Sequence, residues 1–287
     1  MELQKALKLF KSYLLTERGY SEGTCKEYSR DVERLYEFHN QTDIQSVDSN
    51  DIREWLTHLV SNKDISLNTR NRKLASIRTW FKYLLKGNTV TENPAMSIDI
   101  AKVKKKAEPF YLKVDQVKSL INAIEGRNKI RDKAIIKVFV YGGLRVEELV
   151  KLNKDNIKNN RIKFIGKGNK ERIVPLHPQA KKSLQQWFSI REDDSKALFV
   201  SNRRQRISIR QVQRLVKKHA AKSRIKNNEL VSCHKLRSTF ATLVYDQNKD
   251  IKTLKNLMGH SDISTTQLYL GNNKEIEEQN VNALPNF

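Results

Sequence analysis

Five short motifs in the second half of the sequence carry side chains that could bind and react with a phosphate ester. In chain order they are GLRVEEL with Arg145, GKGNKER with Lys167, HKLRSTFAT with His234 and Arg237, LMGH with His260, and SDISTTQLYL with Tyr269. A planar guanidinium can donate two parallel hydrogen bonds to a phosphate. A phenol has a reference pKa of about 10, so it must lose a proton before it can attack phosphorus. Singly each motif is weak evidence, so their order and spacing decide the interpretation.

Structural roles compete with chemical ones for several of these residues. Arg145 could form a salt bridge with Glu148 at the start of a helix. Lys167 could be a solvated lysine in a turn, and His260 could cap a helix. The GKGNK segment also resembles a phosphate-binding loop, but no Ser or Thr follows a Gly-Lys pair at the required place, so that interpretation fails. The adjacent acidic residues Glu147 and Glu148 do not resemble a two-metal site, and no metal is predicted.

The composition indicates a soluble protein whose partner is a polyanion. Lys and Arg number 55 against 32 Asp and Glu, which gives a formal net charge of +23. Each Lys or Arg placed on a phosphate releases a condensed counterion, so nucleic acid is the first partner to expect. No apolar stretch has the length of a signal peptide core or a membrane span, so no membrane partner is predicted. The two cysteines, Cys25 and Cys233, lack a metal-binding spacing, and a cytoplasmic, nucleoid-associated protein is expected.

The first 86 residues have the apolar spacing of helices. The clearest run is SLNTRNRKLASIRTWFKYLLKG, in which Ser66 can cap the helix and Gly87 can end it. Arg70, Arg72 and Lys73 fall largely on the faces away from the apolar stripe. They are therefore predicted to contact DNA, and a solvated helix surface is the competing interpretation.

The segment between Pro94 and Pro109 loses helical periodicity and gathers four lysines, which predicts a linker between two domains. Beyond it the pattern predicts a helix from Val114, a buried helix from Ala134 to Tyr141, and then a β-hairpin. The hairpin strands are expected over residues 161–165 and 172–176. The remainder to residue 270 is predicted to be mainly helical.

A second group of arginines precedes one of these later helices. The segment SNRRQRISIRQVQRLVKK places Arg203, Arg204 and Arg206 ahead of a helix that Ser208 can cap. We predict that these arginines also contact DNA. Arginine serves phosphate and guanine equally well, so the sequence leaves open whether any of them reads bases.

The order and spacing of the five motifs resemble the tyrosine recombinase (phage integrase) family, particularly its Xer-like members. The signature H-x-x-R, then G-H, then Tyr is matched by His234, Arg237, Gly259 with His260, and Tyr269. The resemblance implies a mainly α (α+β) fold, with a helical, SAM-like core-binding domain and a mostly helical catalytic domain that holds a small antiparallel sheet. The implied boundaries are 1–98 for the first domain, 99–107 for the basic linker, 108–270 for the catalytic domain and 271–287 for a C-terminal tail.

The same resemblance implies a role for each motif residue. These are Tyr269 as nucleophile, Arg145 and Arg237 as phosphate clamps, Lys167 as general acid, His234 as proton shuttle, and His260 as donor to a non-bridging oxygen. The implied reaction is a pair of transesterifications through a 3′-phosphotyrosyl link and a Holliday junction. The link stores the bond energy, so no ATP and no other cofactor is expected.

Partners also follow from the resemblance. They are double-stranded DNA with a specific core site, a homo-tetramer or a hetero-tetramer with a related recombinase, and an activator protein as a further option. The tail over residues 271–287 is expected to dock on a neighbouring protomer, and a solvated tail is the competing interpretation. Chromosome or plasmid dimer resolution and mobile-element integration or excision stay open as biological roles. A type IB topoisomerase and a non-catalytic DNA-binding regulator are the alternative functions.

Overall fold

The computed structural model describes residues 2–103, 110–165, 171–248 and 250–258, and the chain divides into two compact units. Unit 1 runs Met1–Lys105 and unit 2 runs Lys106–Phe287. Within the described residues both units are built mainly from helices, and unit 2 adds a small antiparallel sheet. The predicted mainly α (α+β) fold class is therefore confirmed. The finer boundaries at residues 98, 107 and 270 stay predictions.

The described part of unit 1 contains four α-helices whose inward faces share one core. They are α1 (Leu3–Thr16), α2 (Glu22–Phe38), α3 (Ser49–Asn62) and α4 (Leu67–Lys86). Phe10, Tyr36, Trp55 and Trp80 are among the largest side chains of this core, and none is more than 2% exposed. The Tyr36 hydroxyl donates to the carbonyl oxygen of Ile44 over 2.8 Å and accepts from Trp80 Nε1 over 3.3 Å, so both polar tips are satisfied.

Helix α4 forms where the sequence predicts it. The Ser66 hydroxyl accepts a hydrogen bond from the Thr69 N–H at 3.3 Å, which satisfies one of the donors that a helix start leaves without an intrahelical acceptor. The helix ends at Lys86, directly before Gly87, as its apolar stripe indicates. The cap fixes the start of the helix, and hence the faces on which its basic residues lie.

The described part of unit 2 contains seven α-helices. They are α5 (Val114–Asn122), α6 (Lys129–Gly142), α7 (Val146–Lys151), α8 (Pro178–Ser189), α9 (Ile209–Lys222), α10 (Cys233–Asn248) and α11 (Ile251–Met258). Helix α6 is the most buried of those that the structure describes and packs against α8 and α10. Its apolar residues face neighbours on several sides, which explains why the sequence shows it as an apolar run without a polar face.

A three-stranded antiparallel sheet in unit 2 has the order β1 (Ile157–Lys158), β2 (Arg161–Ile165) and β3 (Glu171–Pro175). The predicted hairpin is confirmed, with its second strand one residue earlier than expected. Phe164 pairs with Arg172 in the β2–β3 register. Side chains along β3 alternate between exposed and buried, and Arg172 lies on the buried face. Across the described ranges, no helix is both long and apolar enough to cross a membrane.

Candidate active site

The turn between α6 and α7 brings Arg145 to the surface of unit 2. Gly143 follows α6 in the left-handed conformation, with φ 59° and ψ 31°, and its N–H donates to the Phe139 carbonyl at 2.9 Å. A Cβ atom at this position would lie 2.2 Å from Cδ1 of Phe240. Only glycine combines that backbone conformation with the close approach of a ring. Arg145 then occupies the N-cap position of α7.

Glu148 holds Arg145 through both of its carboxylate oxygens. The Arg145 backbone N–H donates to Glu148 Oε2 at 2.6 Å, and Arg145 Nη1 donates to Oε1 at 2.8 Å. The salt bridge named above as the structural alternative is therefore present. It does not bury the guanidinium, because the Arg145 side chain remains 35% exposed while that of Glu148 is 6% exposed. The pair orients Arg145 and leaves its outer edge accessible to a ligand.

Arg237 reaches the same carboxylate from α10. Its Nη1 lies 3.5 Å from Glu148 Oε2 and donates to the Gly143 carbonyl at 2.6 Å, while Nη2 donates to the Met258 carbonyl at 2.6 Å. The residue is only 2% exposed, yet it helps to line a cavity of about 680 Å³. Arg145 and His234 line that cavity too, together with Glu147, Gln213 and Lys217. The structure therefore groups three of the six predicted catalytic side chains.

His234 lies one turn of α10 before Arg237, and its side chain is exposed at the rim of the cavity. Partial desolvation by the surrounding protein lowers its pKa below the usual 6.5, and the positive charges of Lys235, Arg237 and Arg145 lower it further. The neutral imidazole is thus favoured at pH 7, which is the form that can accept a proton. Its neighbour Cys233 also lines the cavity, but burial raises the pKa of that thiol to about 12, so it stays protonated and is a poor nucleophile.

Arg172 also belongs to this cluster, although none of the sequence motifs points to it. The predicted second strand of the hairpin begins at this residue, and the structure places it in β3 with 8% exposure. Its Nη2 donates to Glu148 Oε2 at 3.1 Å, and its guanidinium lies 4.3 Å from the centroid of the Phe164 ring. Within the described part of the chain, Nε and Nη1 have no hydrogen-bond partner. Burial lowers the pKa of Arg172 to about 10, against the opposing effect of Glu148.

One carboxylate and three guanidiniums give this cluster a surplus of positive charge. Glu148 contributes one negative charge, and Arg145, Arg172 and Arg237 contribute three positive ones, so the four side chains together carry +2. Charges held away from water are unfavourable until a counter-charge arrives. The cavity beside them therefore favours an anion, and the paired N–H groups of guanidinium suit a phosphate.

The three other predicted catalytic residues, Lys167, His260 and Tyr269, lie outside the described residues. The same holds for the tail over residues 271–287 and for the end of the predicted linker over residues 104–107. Their roles stay predictions from the sequence.

The structure corrects one predicted DNA contact in unit 1. Lys73 is buried, and its ammonium nitrogen lies 2.5 Å from Oδ1 of Asp31, so it is an interior ion-pair partner and not a DNA contact. Arg72 pairs with the same carboxylate at 2.8 Å, but its side chain stays 41% exposed. Arg70 donates to the Asp99 carbonyl at 2.7 Å. For Arg70 and Arg72 the predicted DNA contact stays a prediction.

The arginines before α9 are exposed. Arg203 and Arg204 lie on the surface, and Arg206 is exposed although its guanidinium donates to the carbonyls of Val150 and Leu152 at 2.8 and 2.9 Å. Those bonds fix the position of Arg206 and leave part of its surface available to a ligand. The DNA contacts predicted for these three residues stay predictions.

Comparisons with known proteins cover both units of the chain. The profile of the phage integrase family matches residues 111–275, and the profile of the phage integrase N-terminal SAM-like domain matches residues 7–88. The chain is 37% identical to the tyrosine recombinase XerC of Caldanaerobacter subterraneus subsp. tengcongensis, over 92% of this chain and 82% of that protein. It is 32% identical to the tyrosine recombinase XerD of Rickettsia conorii, over 91% of this chain and 92% of that protein.

Solved structures are similar over nearly the whole length. A crystal structure of XerA recombinase is 27% identical, with a TM-score of 0.55 over 99% of both chains. A lambda integrase fragment bound as a dimer to a core site is 18% identical, with a TM-score of 0.77 over 95% of this chain and 96% of that one. The second similarity shows a shared fold. The family profiles, the relatives and this shared fold together extend over both units of the chain.

Proposed function

The chain belongs to the phage integrase family of tyrosine recombinases, and we propose that it is a site-specific DNA recombinase that breaks and rejoins strands through a 3′-phosphotyrosyl link. The observation that carries the proposal is the cluster of Arg145, Arg172 and Arg237 around the buried Glu148, beside a cavity that His234 also lines. This is a site for a phosphate with a proton acceptor next to it.

In the proposed mechanism the described residues act on the scissile phosphate. Attack on phosphorus gives a five-coordinate transition state, in which negative charge builds up on the non-bridging oxygens. Arg145, from the accessible edge of its guanidinium, and Arg237, from inside the cavity wall, stabilise that charge because their positions are fixed before the substrate binds. His234, neutral at pH 7, is placed to accept and return a proton.

The bond changes involve residues outside the described ranges, and their roles rest on the sequence motifs. The Tyr269 phenol oxygen attacks phosphorus and passes its proton to His234, while the bond from phosphorus to the 5′ oxygen breaks. Lys167 donates a proton to that 5′ oxygen, which leaves as a hydroxyl, and His260 donates a hydrogen bond to a non-bridging oxygen. In the second step a 5′ hydroxyl from the partner duplex attacks the phosphotyrosyl link and releases the phenol. One phosphodiester replaces another, so the mechanism uses no ATP.

The assembly is proposed by analogy with relatives. A lambda integrase tetramer has been solved on a Holliday junction, and XerH has been solved with its difH substrate. We propose that this chain likewise acts on double-stranded DNA as a tetramer, either of identical subunits or with a related recombinase. The tail over residues 271–287 is proposed to contact a neighbouring protomer. The protein is proposed to act at the nucleoid, in dimer resolution or in the integration and excision of a mobile element.

One experiment tests the function and its alternatives. The protein is used to select its binding site from a pool of random duplexes, and a nicked version of that site is incubated with the protein in EDTA. We expect a denaturation-resistant protein–DNA adduct that is lost in Tyr269→Phe. An adduct that survives this change would refute the assigned nucleophile. No adduct on a verified site would favour a DNA-binding regulator, and relaxation of plasmids without any site would favour a topoisomerase.

Proposed DNA contacts outside the active site can be measured through salt dependence. Arg203, Arg204 and Arg206 are retained as candidates, together with Arg70 and Arg72. If Arg203 contacts a phosphate, Arg203→Gln should reduce the slope of log K against log salt by about 1. Lys73→Met, which removes a buried cation, should leave that slope unchanged and serves as the matched control. Equal slopes for wild type and Arg203→Gln would remove Arg203 from the contacts.

A further inference from the structure

Arg172 contacts the catalytic cluster only through Glu148, within the residues that the structure describes. It comes from β3, whereas Arg145 precedes α7 and Arg237 belongs to α10. Its bond to Glu148 Oε2, at 3.1 Å, is a contact from the sheet to the carboxylate. The ring of Phe164 on the paired strand lies against the guanidinium and restricts its rotation. The side chain is therefore held in place for this one ionic partner.

Glu148 Oε2 is shared between competing donors. It accepts from the Arg145 backbone N–H at 2.6 Å and from Arg172 at 3.1 Å, while Arg237 Nη1 stands at 3.5 Å. A distance of 3.5 Å is at the outer limit of a hydrogen bond, so Arg237 forms an ion pair with this carboxylate but is the most distant of its three donors. Removal of Arg172 would free Oε2 to form a closer pair with Arg237.

We propose that Arg172 is a positioning residue that occupies Glu148 Oε2 and so keeps the charge of Arg237 available to the scissile phosphate. The inference rests on the proposed function and extends it to a residue that the family motifs above do not include. Arg172 itself is not assigned a contact with DNA. Its influence is electrostatic and passes through one carboxylate.

The charge count supports this role. With Arg172 present the four side chains carry +2, and without it they carry +1, with the carboxylate free to approach Arg237. Arg172 is 8% exposed, so its positive charge is held largely away from water. An unfavourable surplus of buried positive charge is useful where a phosphate supplies the missing counter-charge.

The experiment compares three versions of the nicked duplex selected by the wild-type protein. The first has the natural phosphate. The second has a methylphosphonate, in which a neutral methyl group replaces a charged non-bridging oxygen. The third has sulfur in place of the 5′ bridging oxygen, so that the leaving group needs no added proton. The rate of adduct formation is measured for wild type, Arg172→Met and Arg172→Lys.

On the natural phosphate we expect Arg172→Met to be slower than wild type by about tenfold, the size typical of coupled charged neighbours. The gap should narrow to about twofold on the methylphosphonate and persist with the bridging sulfur. Arg172→Lys should recover most of the rate, since an ammonium can also occupy Oε2. Arg161→Met, on the exposed face of β2, is the matched control and should match wild type.

Other outcomes overturn the inference. Equal rates for wild type and Arg172→Met would show that the contact of Arg172 with Glu148 Oε2 does not contribute to the reaction. A gap that persists on the methylphosphonate would assign a purely structural role, and closure of the gap by the bridging sulfur would assign a role in proton donation. If Arg172→Met fails to fold, Arg172→Gln, which also removes the charge, replaces it in the same comparison. Failure of the wild-type protein to form any adduct would instead refute the proposed function.

Discussion

Two buried carboxylates, one in each unit, are surrounded by basic side chains but differ in what those side chains can reach. In unit 1 Asp31 is 1% exposed and accepts from Lys73 at 2.5 Å, Arg72 at 2.8 Å and the Ser76 hydroxyl at 3.1 Å. In unit 2 Glu148 is 6% exposed and is surrounded by three guanidiniums. Both clusters combine a carboxylate with cations from distant parts of the chain.

The difference lies in charge balance and access. Counted in the same way, Asp31, Lys73 and Arg72 carry +1, but Lys73 is enclosed, with its ammonium 5.6 Å from the centroid of the Trp55 ring, and serves to neutralise Asp31. The cluster around Glu148 keeps a surplus of two positive charges, and two of its arginines line a cavity. A basic residue near an acidic one is therefore a poor guide to function by itself. Surplus charge that opens onto a cavity is the better indicator of a binding site.

The largest expected effect follows from removing a guanidinium at Glu148. Arg237→Ala should slow adduct formation by about 10²–10³-fold, because a fixed donor to the developing charge is lost. Rates on the selected site, corrected for the folded fraction, provide the measurement. Arg161→Ala, an exposed arginine of the same unit, should change the rate little. Similar rates for the two variants would contradict the view that the arginines around Glu148 act on the phosphate.

Breaking the unit 1 cluster should affect stability and not chemistry. Asp31→Asn leaves the buried Lys73 without its counter-charge and should lower the free energy of unfolding by about 3 kcal/mol. Urea denaturation measures that loss, and the adduct rate of the folded fraction should stay within about twofold of wild type. Glu27→Gln, which breaks an exposed pair with Arg30, should cost less than about 1 kcal/mol. A strong loss of rate in Asp31→Asn at unchanged stability would contradict the comparison.

A smaller effect is expected at the turn that supports the unit 2 cluster. Gly143→Ala should cost about 2 kcal/mol of stability, since alanine is strained at φ 59° and its Cβ would meet the Phe240 ring. Gly126→Ala is the matched control, because Gly126 also has a positive φ but no atom within 4 Å of the added Cβ. The difference between the two losses, measured by denaturation, isolates the contact with Phe240. Equal losses would mean that the ring moves aside freely.

The smallest expected effect is a shift in pH dependence. Because the pKa of His234 is lowered, the imidazole should stay neutral in the folded protein down to a pH below 6.5. The rate of adduct formation at subsaturating DNA should therefore also be maintained down to a pH below 6.5. The unfolded chain takes up this proton near pH 6.5, so the same group should reduce stability as the pH falls from there through the folded pKa. Rates between pH 5.5 and 8 test this, with His234→Gln as reference. A half-maximal rate above pH 6.5 would contradict it.

The sequence predicts the parts of this molecule that depend on local pattern. The cap at Ser66, the hairpin, and the grouping of His234 with Arg237 by helical spacing are all found in the structure. Long-range partners are not visible in such patterns. Lys73 is buried because Asp31, which precedes it by 42 residues, neutralises it. A partner that distant leaves no periodic signal.

Arg172 illustrates the same limit in the catalytic unit. Alternation along β3 would have placed it on the inner face with Val174, but a charged residue at the edge of a turn is more often solvated. Arg172 can be buried because it forms an ion pair with Glu148, which lies 24 residues earlier in the chain. Prediction therefore reached the residues defined by motif and spacing, and missed the one defined by its ionic partner.

The two carbonyl bonds of Arg237 have a consequence for how such sequences are interpreted. Its guanidinium joins the residue that follows α6 to the last residue of α11, and a cation at the C-terminal ends of two helices is favourable for the helix dipoles. A descendant that had lost its nucleophile would still need this arginine to hold those ends together. Persistence of Arg237 in a distant homologue is thus weak evidence that the homologue still cuts DNA.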